Sequence, residues 1–286
     1  MSYQGRKGAK QLKGKSMDNR PIGFFDSGLG GLTSIPYLRK QLPNEKVIYF
    51  GDTARTPYGS KTPKTITNFA CQISDFLVGQ NVKMIVIACN TISATCLDVL
   101  RERHPNIPIV GIIEPAATRT ARICAIDNVV GVIGTKATIR SHAYESLIHA
   151  HDKEIEVHEL ACPAFVPLIE EGIINSDIMD LTIHHYLDDF ILENRVDTLI
   201  LGCTHYPLVE SHIRRMHPNL RVINPSEVVV DTVEEILKDR NAFADGSDDS
   251  VENCFYASDL SDNFIAMIDR IFEHSQEKVA FKNLDV

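Results

Sequence analysis

The chain has 286 residues, a formal net charge of −9 and 44% hydrophobic residues. This length is enough for one large domain or two ordinary ones with apolar cores. The acidic balance argues against a general nucleic-acid-binding protein, and no apolar run approaches the roughly 18 residues that a membrane span needs. No apolar signal segment follows the basic N-terminus, so we expect a cytoplasmic protein with neither nucleic acid nor membrane as a partner.

The first segment of the chain, residues 1–19, is basic and has no hydrophobic periodicity. Charged segments of low hydrophobicity bury too little apolar surface to fold by themselves. We therefore predict a disordered tail over residues 1–19.

Short apolar segments, each followed by turn residues and then by helical periodicity, run through the rest of the chain. They are Ile22–Phe25, Val47–Phe50, Met84–Ala88 and Ile109–Ile113 in the first half, and Val129–Ile133, Ile155–Leu160, Thr198–Leu201 and Val222–Ile223 in the second. Near-continuous apolar runs that alternate with helices are typical of a parallel sheet covered on both faces. The predicted fold class is therefore α/β.

Helix starts are marked by capping residues. Thr62 before Pro63, Ser176 and Ser226 each precede an apolar pattern with helical spacing, and Thr and Ser are favoured N-caps. The helix that starts at Ser226 is predicted over 226–239, and one further helix is predicted over 259–275.

The predicted strands repeat in the same order. The first three strands of each half start at offsets of 107, 108 and 114 residues. The third strand of each half ends in a cysteine, Cys89 or Cys203, and the first opens into a loop of small residues. This duplication predicts two pseudo-symmetric lobes, each a parallel sheet flanked by helices, with the active site in the cleft between them, since ligands lie beyond the carboxyl ends of such strands.

The second lobe is interpreted as an insertion in the first. We assign residues 20–112 and 226–286 to the first lobe and residues 113–225 to the second. The apolar stretch Cys254–Tyr256 then returns to the first lobe.

The chain has seven cysteines and no Cys-x-x-Cys motif, which disfavours both a disulfide framework and a thiolate metal site. Most are expected to be buried core residues, with Cys162 a weak exception because it ends a strand before Pro163. Cys89 and Cys203 stand apart, because each ends a strand and precedes a helix. Backbone N–H groups there stabilise negative charge, so we predict a lowered pKa for both thiols.

Two acid/base groups of one kind, on opposite sides of a carbon atom, can remove a proton from one face and return one to the other. One must be a thiolate while the other is a thiol. Tuned cysteines suit this task because their pKa values lie near the working pH. The symmetric cysteine pair therefore indicates racemase chemistry.

Four motifs in order give a family resemblance. They are Gly23-Phe24-Phe25-Asp26-Ser27-Gly28-Leu29-Gly30-Gly31, Tyr49-Phe50-Gly51-Asp52-Thr53-Ala54-Arg55-Thr56-Pro57-Tyr58-Gly59, Ala88-Cys89-Asn90-Thr91 and Leu201-Gly202-Cys203-Thr204-His205-Tyr206-Pro207-Leu208. Over roughly residues 21–275 the chain resembles bacterial glutamate racemases. The resemblance implies two α/β lobes, interconversion of L- and D-glutamate without a cofactor or metal, a supply of D-glutamate for peptidoglycan, and a homodimer as an assembly to expect.

The resemblance also implies residue roles. Cys89 would act on the D-isomer with help from Asp26, and Cys203 on the L-isomer with help from His205, which Glu170 would orient. The residues implied to hold the substrate are Asp26, Ser27, Tyr58, Gly59, Asn90, Thr91, Thr204 and His205, with Thr135 and Thr138 as ligands of its side-chain carboxylate.

Simpler structural roles stay open at three of these positions. Asp26 can cap the following turn, His205 can be a structural histidine, and Glu170 can be a solvated charge at a helix end, with Glu171 as its competitor for His205.

Three other functions also stay open. The first is racemisation of another amino acid, chiefly aspartate, although related aspartate racemases tend to carry Cys-Thr-Glu at the second cysteine. The second is a thiol redox protein, which needs a reactive cysteine with a resolving partner. The third is a binding protein that has lost catalysis.

Overall fold

The computed structural model describes residues 17–124, 127–247, 252–272, 277 and 279–284. All strand pairs in these ranges are parallel. The strands are β1 Ile22–Asp26, β2 Val47–Gly51, β3 Met84–Ile87, β4 Ile109–Gly111, β5 Val129–Gly134, β6 Glu156–Ala161, β7 Thr198–Gly202, β8 Arg221–Ile223, β9 Cys254–Ala257 and β10 Val279–Phe281.

The strands form two separate parallel sheets, which confirms the predicted fold class. The first sheet has six strands in the order β10-β9-β2-β1-β3-β4, and the second has four in the order β6-β5-β7-β8. Each sheet places its first strand between its second and third, so β1 and β5 hold equivalent positions. The eight predicted strands are all present, and the stretch at Cys254 joins the first sheet as predicted. The short strand β10 was not predicted.

Helices connect the strands. They are α1 Ile35–Gln41, α2 Pro63–Gly79, α3 Asn90–Arg103, α4 Ile113–Ile123, α5 Lys136–Arg140, α6 Ala143–His151, α7 Phe165–Glu170, α8 Asp177–Asn194, α9 Glu210–Met216, α10 Pro225–Asp239 and α11 Asp262–Ile271. The first strand of each sheet leads into a loop and a short helical turn, and the third strand leads into a cysteine.

Two of the three predicted caps are confirmed. Thr62 Oγ1 accepts a hydrogen bond from the Thr65 N–H, and Ser176 Oγ accepts one from the Met179 N–H, each at 3.3 Å. The prediction for Ser226 was wrong, because α10 begins one residue earlier, at Pro225, and Asn224 Oδ1 accepts the Ser226 N–H at 3.0 Å. Asn is a strong N-cap and Pro fits the first helical position, so this pair sets the start.

The apolar core joins the two sheets. One buried cluster runs from Phe24 on β1 through Val229 on α10 to Val132 on β5. A second cluster packs the other face of the first sheet against α2 and α3, through residues such as Ile73 and Ile92. The carboxyl ends of β1, β3, β5 and β7 are therefore held in fixed positions around one cleft.

Of the predicted tail at 1–19, residues 1–16 lie outside the described residues. Asp18 donates its N–H to Phe243 O at 3.3 Å, and Asn19 donates through Nδ2 to Asp245 Oδ1 at 2.9 Å. The end of this segment is therefore folded against residues 243–245. Among the described helices, none combines the length and apolar character that crossing a bilayer requires.

Candidate active site

The carboxyl ends of the strands in both sheets face one cavity of about 330 Å³. Cys89, after β3, lines its wall from the first sheet, and Cys203, after β7, lines it from the second, as does Cys162 after β6. The predicted site residues that line the cavity are Ser27, Tyr58, Gly59, Cys89, Asn90, Thr91, Thr135, Thr138, Glu170, Cys203, Thr204 and His205. Asp26, the other predicted residue, is fully buried behind this wall.

Cys89 occupies the N-cap position of α3 and is almost fully buried. Its thiol donates to Ser27 Oγ at 3.4 Å. Burial, reinforced by the negative charge of Asp26, raises the pKa of Cys89. The predicted lowering of this pKa was therefore wrong, because the cost of burying a thiolate outweighs the stabilisation by Ser27 and nearby backbone N–H groups.

Asp26 caps the glycine turn after β1 and also acts electrostatically on Cys89. Its Oδ2 accepts the Gly31 N–H at 3.0 Å and the Gly28 N–H at 3.3 Å, so it does cap the glycine turn. Its Oδ1 has no hydrogen-bond partner among the described residues. Burial raises the pKa of Asp26, while the positive charge of His205 and the hydrogen bond from the Gly31 N–H act in the opposite direction.

His205 lies between Cys203 and Glu170 and contacts both. His205 Nδ1 lies 3.9 Å from Cys203 Sγ, and His205 Nε2 lies 3.0 Å from Glu170 Oε1. Burial lowers the pKa of His205, but its hydrogen bonds to Cys203 and Glu170 together outweigh that effect and raise the pKa to about 10. These contacts favour the charged form of the imidazole. Glu171 is exposed at the end of α7, so Glu170 is the carboxylate that contacts His205.

The glycine loop after β1 packs directly against the Cys203 loop. A Cβ atom on Gly30 would lie 2.3 Å from Thr204 Oγ1 and 2.6 Å from His205 Nδ1. Thr33 Oγ1 lies 2.8 Å from Gly30 O and 3.1 Å from Thr204 O. Only a glycine permits this approach, which brings the loops of the two sheets together.

Three threonine hydroxyls from both sheets meet at another part of the cavity. Thr91 Oγ1 lies 3.4 Å from the hydroxyls of both Thr135 and Thr138, and these two lie 3.1 Å apart. Thr135 is also the N-cap of α5, where it accepts the Thr138 N–H at 3.3 Å. Gly59 lies beside this group, since a Cβ there would be 3.5 Å from Thr135 Oγ1. Such a cluster of hydroxyl donors suits a carboxylate.

Tyr58 is held by a buried carboxylate outside the cavity. Its hydroxyl donates to Asp52, which also accepts from Arg55 Nε and from Ser258 Oγ, each at 2.7 Å. Burial and the charge of Asp52 raise the pKa of Tyr58. The hydroxyl is therefore already engaged, and the Tyr58 side chain contributes a wall to the cavity.

Sequence reasoning did not assign several lining residues: Thr56, Pro57, Ser60, Lys136, Cys162, Pro163, Val166, Pro167, Gly202 and Tyr206. Thr56 and Pro57 lie within the second motif, and Lys136 follows Thr135, so position along the chain was an available signal for these. Cys162 was singled out only weakly. Burial and the charge of Cys203 raise the pKa of Cys162, which is typical of a core thiol.

One cluster of possible metal ligands lies elsewhere, where His142, Glu145 and Glu159 bring their ligand atoms within 4.8 Å of one another. His142 Nδ1 contacts Glu159 Oε2 at 2.7 Å and Glu145 Oε2, in the first turn of α6, at 3.2 Å. An ion pair and a contact with the first turn of α6 thus already account for this cluster.

Comparison with known proteins places these features in a family. The profile of the Asp/Glu/Hydantoin racemase family matches residues 35–233. The glutamate racemase of Geobacter metallireducens is 43% identical over 252 residues, which cover 88% of this chain and 92% of the relative.

Solved structures give the same result. The structure of glutamate racemase from Francisella tularensis in complex with D-glutamate is 38% identical with a TM-score of 0.85, and the match covers 94% of this chain and 99% of that one. Glutamate racemase isoform RacE1 from Bacillus anthracis is 32% identical with a TM-score of 0.87, over the same shares of the two chains. The chain therefore belongs to the Asp/Glu/Hydantoin racemase family, among the glutamate racemases.

Proposed function

We propose that this protein is an isomerase that interconverts L- and D-glutamate by proton transfer at Cα, without a cofactor. The observation that carries the proposal is the pair of cysteines at equivalent strand ends of two sheets, lining one cavity. Each has a different acid/base group beside it: Asp26 interacts with Cys89, and His205 with Cys203.

The proposed reaction starts with a thiolate at one cysteine and a thiol at the other. With D-glutamate, the Cys89 thiolate takes the Cα proton, and the Cys203 thiol then gives its proton to the opposite face. With L-glutamate the roles are exchanged, so each turnover leaves the enzyme in the state that accepts the other isomer. Backbone amides and hydroxyls directed at the α-carboxylate would stabilise the developing negative charge.

The surroundings of Cys89 favour its protonated thiol, since burial and the charge of Asp26 both raise its pKa. A bound substrate brings an α-ammonium group into the same cavity. A nearby positive charge favours a thiolate, so substrate binding itself would help to activate Cys89.

The surroundings of Cys203 support a different activation. The raised pKa of His205 favours its imidazolium form. An imidazolium next to a thiol stabilises the thiolate. Cys203 is thus suited to act as the base towards L-glutamate, with Glu170 orienting the imidazole.

For the substrate we propose two anchoring regions. Ser27 and Thr204 lie beside the two cysteines and would hold the groups on Cα, with Asp26 and His205 behind them. The hydroxyls of Thr91, Thr135 and Thr138, with Gly59 beside them, would hold the side-chain carboxylate. Lys136 also lines the cavity, and its positive charge would favour a substrate with two carboxylate groups.

The family resemblance supports further proposals about the context of the reaction. The D-glutamate would supply peptidoglycan synthesis, and the enzyme would work in the cytoplasm as a homodimer. Its partner in the reaction is a small molecule, and the net charge of −9 argues against nucleic acid.

The test is circular dichroism of the purified protein with the single enantiomers of glutamate and aspartate, without added cofactor. The proposal predicts that the signal of both glutamate enantiomers decays to zero, while aspartate changes much more slowly. If the circular-dichroism signal decays with the aspartate enantiomers alone, the protein is an aspartate racemase instead. Stable signals with all four compounds would overturn it.

A further inference from the structure

Tyr144 connects the two sheets behind the cavity. It lies on α6, its side chain is buried, and its hydroxyl donates to Asn90 Oδ1 at 2.7 Å. Asn90 begins α3 in the other part of the molecule, directly after Cys89. The Tyr144 ring also approaches the end of β7, because a Cβ on Gly202 would lie 3.3 Å from it. Tyr144 thus contacts the strand end or helix start next to each of the two cysteines.

Within the described part of the chain, the side-chain amide of Asn90 forms a hydrogen bond through its oxygen but not through its nitrogen. Its oxygen accepts the Tyr144 hydroxyl, while its Nδ2 is buried without a hydrogen-bond partner among the described residues. Asn90 lines the cavity. A primary amide offers an acceptor oxygen and two N–H donors, so the contact with Tyr144 leaves the donors for a ligand.

We propose that Tyr144 is a positioning residue, which fixes the amide of Asn90 with its N–H groups available to a carboxylate of the substrate. This inference rests on the proposed function, since it assigns a task to a residue of the same site. Without the hydroxyl, the amide is free to rotate and present its oxygen instead. An oxygen facing a carboxylate repels it, so the orientation of Asn90 contributes directly to substrate affinity.

The Tyr144 hydroxyl can donate its hydrogen bond to Asn90 only while it is protonated. Burial, and secondarily the charge of Cys203, raise the pKa of Tyr144 well above its usual range. The protonated hydroxyl, which is the form that donates to Asn90, is therefore favoured.

The experiment is a double-mutant cycle with Tyr144→Phe and Asn90→Ala. Phe keeps the ring and removes only the hydroxyl. Tyr144→Phe is expected to raise KM for glutamate about five- to tenfold, the range of one hydrogen bond, with kcat changed less than about twofold. In the Asn90→Ala protein the same substitution is expected to change KM by less than about twofold, because the amide that it orients is absent.

Tyr186→Phe is the matched control. Tyr186 is a partly buried tyrosine of α8 whose hydroxyl accepts the Ala164 N–H at 3.3 Å, and it does not line the cavity. This variant also loses one tyrosine hydroxyl, and its KM is expected to match that of wild type. A KM increase in Tyr186→Phe as large as in Tyr144→Phe would assign the effect to general loosening and overturn the inference.

Two further results would also overturn the inference. One is a Tyr144→Phe effect of equal size with and without Asn90, and the other is a loss of kcat with unchanged KM. Calorimetric titration with D-glutamate in a Cys203→Ser background, where turnover is slowed, gives an affinity independent of the steady-state rate, and Tyr144→Phe is expected to weaken it about as much as KM. A wild-type protein that binds glutamate but does not racemise it would contradict the proposed function alone. If wild type is active and the KM effects of Tyr144→Phe and Asn90→Ala simply add in the double mutant, only this inference is contradicted.

Discussion

His205 is the residue whose charge depends most on its neighbours. Its burial would favour the neutral form, yet Cys203 and Glu170 raise the pKa to about 10. A raised pKa in the folded state stabilises the fold fully below the pKa of the unfolded chain, about 6.5, and this contribution is lost as pH rises through about 10. The stability that Glu170 provides through His205 therefore declines over that window.

The first prediction concerns Glu170→Gln. Loss of the carboxylate removes one of the two interactions that raise the pKa of His205, so that pKa is expected to fall by at least about one unit. Racemisation of L-glutamate should then decline at lower pH than in wild type. NMR titration of the histidine side chains measures the first effect and a pH–rate profile the second.

Glu171→Gln is the control for this prediction. Glu171 neighbours Glu170 in sequence and is exposed at the end of α7. We expect its removal to leave both the His205 titration and the pH profile unchanged. Equal effects of the two variants would refute a specific role for Glu170.

The second prediction concerns Asp26→Asn. The Asp26 carboxylate is the second cause of the raised pKa of Cys89, after burial. Asn keeps the size and removes the charge, so the pKa of Cys89 should fall and its alkylation by iodoacetamide at pH 8 should become several-fold faster. Mass spectrometry of the Cys89 peptide, with the Cys71 peptide as an internal reference, measures the rate; an unchanged or slower rate would contradict the account.

Residue identities at the site were more predictable than their electrostatics. Twelve of the predicted positions line the cavity, and it was the family resemblance that implied their roles. The pKa of Cys89 was predicted in the wrong direction, since the local rule for a thiol before a helix ignores burial and the side chain of Asp26. Both of these arise only when distant segments fold together.

At the scale of elements, the glycine loop after β1 determines how closely the two cysteine loops approach. The third prediction is that Gly30→Ala lowers kcat/KM by at least about a hundredfold, because its Cβ would overlap Thr204 and His205. Circular dichroism should show an intact fold, and steady-state kinetics measures the loss.

Gly79→Ala is the matched control. Gly79 ends α2, and a Cβ there would meet nothing within 4 Å. This substitution is expected to leave activity unchanged and to raise the free energy of unfolding by about 0.4–1 kcal/mol. A Gly30→Ala enzyme as active as Gly79→Ala would show that the close approach at Gly30 is not needed.

The elements themselves could be predicted where hydrophobic burial forms them. Seven of the eight predicted strands are mostly buried, largely apolar runs, which are visible in sequence, whereas the residues of β6 are half-buried or exposed. The strand Val279–Phe281 escaped prediction because it has three residues, half-buried or exposed, at the sheet edge. The start of α10 was misplaced because Asn224 and Ser226 are both good caps, and the choice between them depends on Pro225.

At the scale of the whole molecule, the duplicated strand order predicted two equivalent sheets, and the cavity lies where their carboxyl ends meet. The apolar cluster that joins the sheets was not predictable, because it depends on how α10 packs between them. The lobe boundaries at 112 and 225 stay a prediction.

The fourth prediction follows from the shared core. Since one buried cluster includes side chains from both sheets, the two lobes should unfold together in a single thermal transition. Scanning calorimetry, with circular dichroism at the same heating rate, tests this. Two resolved transitions would show that the lobes are energetically independent.

The central claim is that two opposed thiols exchange protons at Cα of glutamate. The most direct measurement is proton NMR of D-glutamate incubated with the enzyme in D2O, for wild type, Cys89→Ser and Cys203→Ser. The account predicts that wild type replaces the Cα proton with deuterium while optical activity is lost, and that each variant racemises at least about a hundredfold more slowly. Racemisation by either variant at the wild-type rate, or racemisation by wild type without deuterium at Cα, would contradict it.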